Sequence, residues 1–186
     1  MLAWLTSRRT RLRTARLLYG SIVTAARRPT FYADWGVPDT MQGRFEMIVL
    51  HLALAVRRLR PEGEAGKRLA QALTEAFVVD MDDAMREMTF GDLAVSREIK
   101  RATAALFDRH NAYLVALDGP QDMVLQEALE AQLAYLGPPG FDASSLAAYV
   151  RRAAEMLARQ SSAQVLAGRL AWPDPASGQQ ALAIPY

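Results

Sequence analysis

Apolar residues recur at three- and four-residue intervals along nearly the whole chain, and no stretch alternates as a half-buried strand would. The first such stretch predicts a helix over roughly residues 5–26. Leu5, Leu12, Ala15, Tyr19, Ile22 and Ala26 fall on one stripe, with the arginines largely outside it. Pro29 and Gly36 break the pattern, so 27–38 reads as an irregular connection. Asp39 is placed to cap the next helix, with Gln42 three positions on to close a capping box. Phe45, Ile48, Val49, Leu52, Val56 and Leu59 then form its core stripe, and "RLRPEGEAG" ends it. Further helices are expected over about 67–79, 93–117, from Leu125 to Leu133, and over 144–158, with a short turn after Ser162. "DMDDAMREM" (80–88) reads as a separate short helix, because Asp80, Asp82 and Asp83 suit a helix N-terminus. From Trp172 onward the sequence reads as a loose tail. The expected fold is all-α: a single compact multi-helix domain over 29–171, preceded by a basic amphipathic helix (1–28) and followed by an irregular tail (172–186).

Length and composition fit that picture, since 186 residues with 51% apolar side chains can bury one sizeable core. There is no cysteine, which excludes disulfides, thiolate metal sites and cysteine nucleophiles. With only His51 and His110, a histidine-rich metal centre is excluded too. The basic residues are 20 Arg against Lys67 and Lys100, a bias that suggests GC-rich coding and hence a bacterial source.

The net charge of +2 conceals a strong asymmetry. Residues 1–60 carry +8 and residues 61–142 carry −8, while 143–186 carry +2. A basic front half suits an anionic membrane surface or ribosomal RNA, and an acidic middle suits a basic partner segment. The longest apolar run, "FEMIVLHLALAV", has about 12 residues and includes Glu46 and His51, against about 20 needed to span a bilayer. The start of the chain lacks the apolar core and cleavage site of a secretory signal; it resembles a mitochondrial transit segment only if the source is eukaryotic.

Candidate chemistry is sparse. His51 and His110 each lie on an apolar stripe, where a locally hydrogen-bonded core histidine is the commoner outcome than a base or a ligand. Asp80, Asp83 and Glu87 could share a helix face and bind Mg²⁺, although first-turn carboxylates need no metal to explain them. No nucleophile elbow or nucleotide-binding glycine loop occurs. Met81, Met85 and Met88 line one stripe, either ordinary core packing or an adaptable binding surface, and Phe31, Tyr32 and Trp35 stand on the connection before the apolar helix, either docking that loop onto the domain or lining an interaction groove. These six are the candidates for binding an apolar partner. Arg8, Arg9, Arg11, Arg13 and Arg16 are the candidates for a membrane or ribosome surface.

The ordered set "FYADWGVPDT", "GRFEMIVLHL", "DMDDAMREM", "GDLAV" and "RHNAYLVAL", through roughly residues 31–117, resembles the ubiquinol–cytochrome c chaperone family. The resemblance implies a non-enzymatic factor for assembly of the cytochrome bc1 complex, with no cofactor, no resident metal and no DNA partner. Its implied client is newly made cytochrome b or another bc1 subunit, met near the ribosome with the help of a small partner protein in mitochondrial relatives. It also implies a place at the cytoplasmic face of the bacterial inner membrane, or on the matrix side in a eukaryote. The alternatives from other classes are a membrane-surface or ribosome-binding helical module without chaperone activity, and a carboxylate- or metal-dependent enzyme.

Overall fold

The structure is a computed structural model that describes residues 2–87, 112–113, 115–119, 122–136 and 140–177. Among the described residues every regular element is helical and none is a strand. The order is α1 (Leu2–Ala26), α2 (Pro29–Ala33), α3 (Met41–Leu59), a 3₁₀ turn (Arg60–Glu62), α4 (Gly63–Glu87), α5 (Asp122–Leu133), α6 (Ala143–Arg159) and α7 (Ser162–Leu166).

α3 is the axis of the fold. Its ten consecutive residues from Glu46 to Ala55 are all buried, which explains why the apolar run is too continuous for a surface helix. α1 and α4 pack on one side of it and α6 on another, with α5 against α6. One hydrophobic core joins them, from Leu18 and Ile22 of α1 through Leu50 and Leu52 of α3 to Leu73 and Phe77 of α4 and Leu146 and Val150 of α6. No described helix is long and apolar enough to cross a membrane.

The start of α3 shows how local chemistry sets an element. Thr40, not Asp39, is the cap: its backbone is extended and its hydroxyl accepts from the Gly43 amide at 3.1 Å. Asp39 instead holds the Arg44 guanidinium at 2.6 Å. The preceding loop folds back so closely that a Cβ on Gly43 would stand 2.0 Å from the Pro38 carbonyl oxygen, so only glycine fits there.

α4 differs most from the pattern. It continues without interruption through residues 80–87, so the acidic segment is the end of a 25-residue helix and Asp80 caps nothing. Tyr19 of α1 donates its hydroxyl to Asp80 at 2.7 Å, and the Tyr19 ring meets Phe77 edge-on. Burial and the neighbouring carboxylate push the Tyr19 phenol strongly up, so it stays a donor. The connection at 27–38 also contains a short helix, α2, with Pro29 in its first turn. The helix expected over 93–117 lies mostly outside the described residues; helical residues 115–118 place Ala116 and Leu117 in the core.

Candidate functional site

The aromatic residues before α3 converge on its histidine. α2 turns the Phe31 ring inward, and Phe31 then meets Trp35, His51 and Tyr149 edge-on, with ring centroids 5.3, 5.7 and 4.9 Å away. Trp172, from the segment after α7, covers the other side of His51 at 5.0 Å. The indole N–H of Trp35 is buried with no hydrogen-bond partner. Edge-to-face packing of this kind suits rings whose positive rims meet negative faces.

His51 is sealed inside this group. Its Nδ1–H donates to the Met47 carbonyl at 2.7 Å, and its Nε2 accepts from the Tyr149 hydroxyl at 2.8 Å. Burial, outweighing the Met47 hydrogen bond, lowers its pKa to about 4, so the ring is neutral near pH 7. Burial also pushes the Tyr149 phenol well up, which keeps it the donor. With both ring nitrogens engaged, His51 has no lone pair for a metal and no access to a substrate. It is a core histidine.

The six candidate client residues are therefore not one surface. Phe31 is 0% and Trp35 2% exposed, so neither reaches solvent. Both belong to the core against α3 and α6, a correction to their grouping as a groove lining. Tyr32 is half-buried; its hydroxyl donates to the Ala26 carbonyl at 2.7 Å, and burial, with Asp39 nearby, takes its pKa up to about 12. It lines an open cleft of about 460 Å³ with Arg27, Asp39 and Arg44. Met81, on α4, is half-buried and packs against the core. The Met85 side chain and Met88 lie outside the described residues, as do the side chain of Glu87 and all of His110. No acidic or histidine cluster fit for a metal occurs among the described residues.

α1 separates its five arginines. Arg8, Arg9, Arg13 and Arg16 are exposed, while Arg11 turns toward the packed side and is half-buried. None of the five forms an ion pair among the described residues. Leu12, assigned to the inward stripe from sequence, is 38% exposed; among the described side chains of α1, Thr14 and Ala15 are the first that are buried.

Sequence reasoning missed two braces. Buried Arg58 donates to the Leu157 carbonyl at 2.8 Å and the Gln160 carbonyl at 2.7 Å and pairs with Glu62. Glu62, which also accepts from Ser162 at 2.9 Å, is held below the usual carboxylate range first by Arg58 and then by Ser162. A cleft of about 450 Å³ beside this brace has Arg57 on its wall, which already holds Asp118 at 2.7 Å. The second brace is the Trp172 segment. Arg28 donates to the Pro173 carbonyl, and the Trp172 indole N–H reaches Ser21 Oγ at 3.4 Å. The sequence cue was the cluster of tryptophan and two prolines in "WPDP", an unusual composition for a free tail.

What this geometry defines is a helical protein whose buried polar groups are used for packing. Residues 33–172 match the ubiquinol–cytochrome C chaperone family. The crystal structure of the Cbp3 homolog from Brucella abortus superposes with a TM-score of 0.82 at 32% identity, over 95% of this chain and 98% of that one. No curated protein matches the chain in sequence. The chain belongs to the ubiquinol–cytochrome c chaperone family, the class of chaperones that serves the cytochrome bc1 complex.

Proposed function

We propose that this protein is a non-catalytic assembly chaperone whose client is newly made cytochrome b, and that it works beside the membrane into which that client is inserted. The observation that carries the proposal is the family match through residues 33–172, with a shared fold over nearly the whole chain. The use of His51, the most enzyme-like residue of the sequence, as a sealed core group supports a binding rather than a catalytic role. A cytoplasmic position at the inner membrane of a bacterium follows from the same proposal. Of the six candidate client residues, Tyr32 and Met81 are the half-buried ones among the described side chains, and each is proposed as a separate client contact.

Isolating tagged protein from cells that are making bc1 complex tests this directly. Cytochrome b should accompany it, and deleting the gene should lower assembled bc1 complex while cytochrome b synthesis continues. Ribosomal proteins or a small second protein in the same isolate would add those partners. Recovery of normal bc1 complex without the chaperone would sink the proposal.

A further inference from the structure

The outer face of α1 is a strongly charged surface that the core does not explain. On a helix of 3.6 residues per turn, Arg9, Arg13 and Arg16 fall within one narrow stripe pointing away from α3 and α4. Leu12 borders that stripe on one side and Leu17 on the other, and they are 38% and 53% exposed. Arg8 is exposed as well but falls off this stripe, in line with Ala15 and Ala26. No acidic residue precedes Asp34 in the chain, so nothing in α1 offsets this charge. The inward face of the same helix is buried at Ala15, Leu18, Ile22 and Ala26, so α1 is fixed to the core and presents its arginines as a rigid array.

From this juxtaposition we infer that α1 is a docking surface for anionic lipid, with Arg9, Arg13 and Arg16 on the headgroups and Leu12 and Leu17 entering the interfacial layer on either side. The inference rests on the proposal that the protein acts beside a membrane, and it assigns the residues that hold it there. An arginine stripe alone would serve RNA phosphates equally well. Two large exposed leucines flanking the stripe decide between the two, because a headgroup layer accepts apolar side chains and a phosphate backbone does not. The arrangement also explains why Leu12 and Leu17 are left in water on a helix that buries Leu18, Tyr19 and Ile22.

The test uses the full chain with sedimenting vesicles of phosphatidylglycerol in phosphatidylcholine, and of phosphatidylcholine alone. Each arginine near an anionic surface contributes about fivefold to partitioning, so Arg9→Gln/Arg13→Gln/Arg16→Gln should lower it on the order of a hundredfold. Leu12→Ser/Leu17→Ser should lower it by about threefold or more, with the charge unchanged. Arg68→Gln/Arg159→Gln, which removes exposed arginines from α4 and α6, should leave it within about twofold. Thermal melts confirm that each variant is folded.

The inference is overturned by binding that does not prefer phosphatidylglycerol, by a leucine variant that binds as well as the parent, or by an equal loss in the control. It is also overturned if purified ribosomes strip the protein from vesicles through the same arginines, since the face then reads RNA. Vesicle binding needs no client. Failure here with normal capture of cytochrome b sinks the lipid surface alone, and the converse sinks only the chaperone proposal.

Discussion

A neutral imidazole with both nitrogens engaged is vulnerable to acid. The folded-state pKa of His51 is about 4, below its ordinary value of 6.5, so the native state resists a proton that the unfolded chain accepts. The stability this supplies is complete above about pH 6.5 and is lost as pH falls toward 4. Between pH 7.5 and 4.5 His51 alone should cost about 2–3 kcal/mol, to be read as the part of the urea-unfolding pH dependence that disappears in His51→Gln. If both proteins lose stability equally over that range, the imidazole is not sealed. The Phe31 ring that covers it should behave as core, with Phe31→Ala costing about 3–5 kcal/mol in the same assay. At this scale the sequence is half legible. The apolar neighbours Leu50 and Leu52 mark His51 as internal, but its partner Tyr149 lies 98 residues away, and no local pattern joins the two. The same holds for Phe31 and Trp35, whose place on the connection suits docking onto the domain or lining a groove, and which the fold buries.

Helical elements were easier to foresee than their ends. Periodicity of three and four places α1, α3, α5 and α6 within a few residues, because each buries a continuous stripe. The two misplaced boundaries have one cause, a small polar residue that competes for two jobs. Asp39 could cap α3 but reaches Arg44, leaving the cap to Thr40. The acidic run Asp80–Asp83 could begin a helix, yet a central aspartate costs only about 0.7 kcal/mol in helix propensity, too little to break α4 once Phe77 and Tyr19 are packed. Two substitutions separate these alternatives. Val79, 59% exposed, lies inside a continuous α4, so Val79→Pro should cost about 3 kcal/mol or more; a helix that restarts at Asp80 would tolerate it. Gly43→Ala should cost about 1–3 kcal/mol, because the new methyl group must push Pro38 off the first turn of α3. A neutral Gly43→Ala would mean that the loop does not fold back there.

On the scale of the whole molecule, family and fold class were visible in the sequence because both are spread over many residues, whereas the closing of the chain on itself was not. The segment 169–177 has no apolar period, so it resembles a loose tail; its docking depends on a few side chains meeting distant partners. Trp172 lies over His51 and reaches Ser21, Pro173 accepts from Arg28, and Asp174 stands 3.9 Å from Arg28. The strap thereby ties α1, the α1–α2 junction and α3 together and covers His51, which is fully buried. Trp172→Ala should lower stability by about 2 kcal/mol, less than for a fully buried tryptophan because this ring is only partly covered. It should also admit water to His51 and raise the imidazole pKa toward its ordinary value, so the acid-dependent loss becomes smaller in this variant. A double-mutant cycle at pH 4.5 with Trp172→Ala and His51→Gln therefore carries the decisive number. Coupling of about 1 kcal/mol shows the strap and the histidine acting as a unit. Zero coupling, with an unchanged melting temperature for Trp172→Ala, would return the segment to a loose tail.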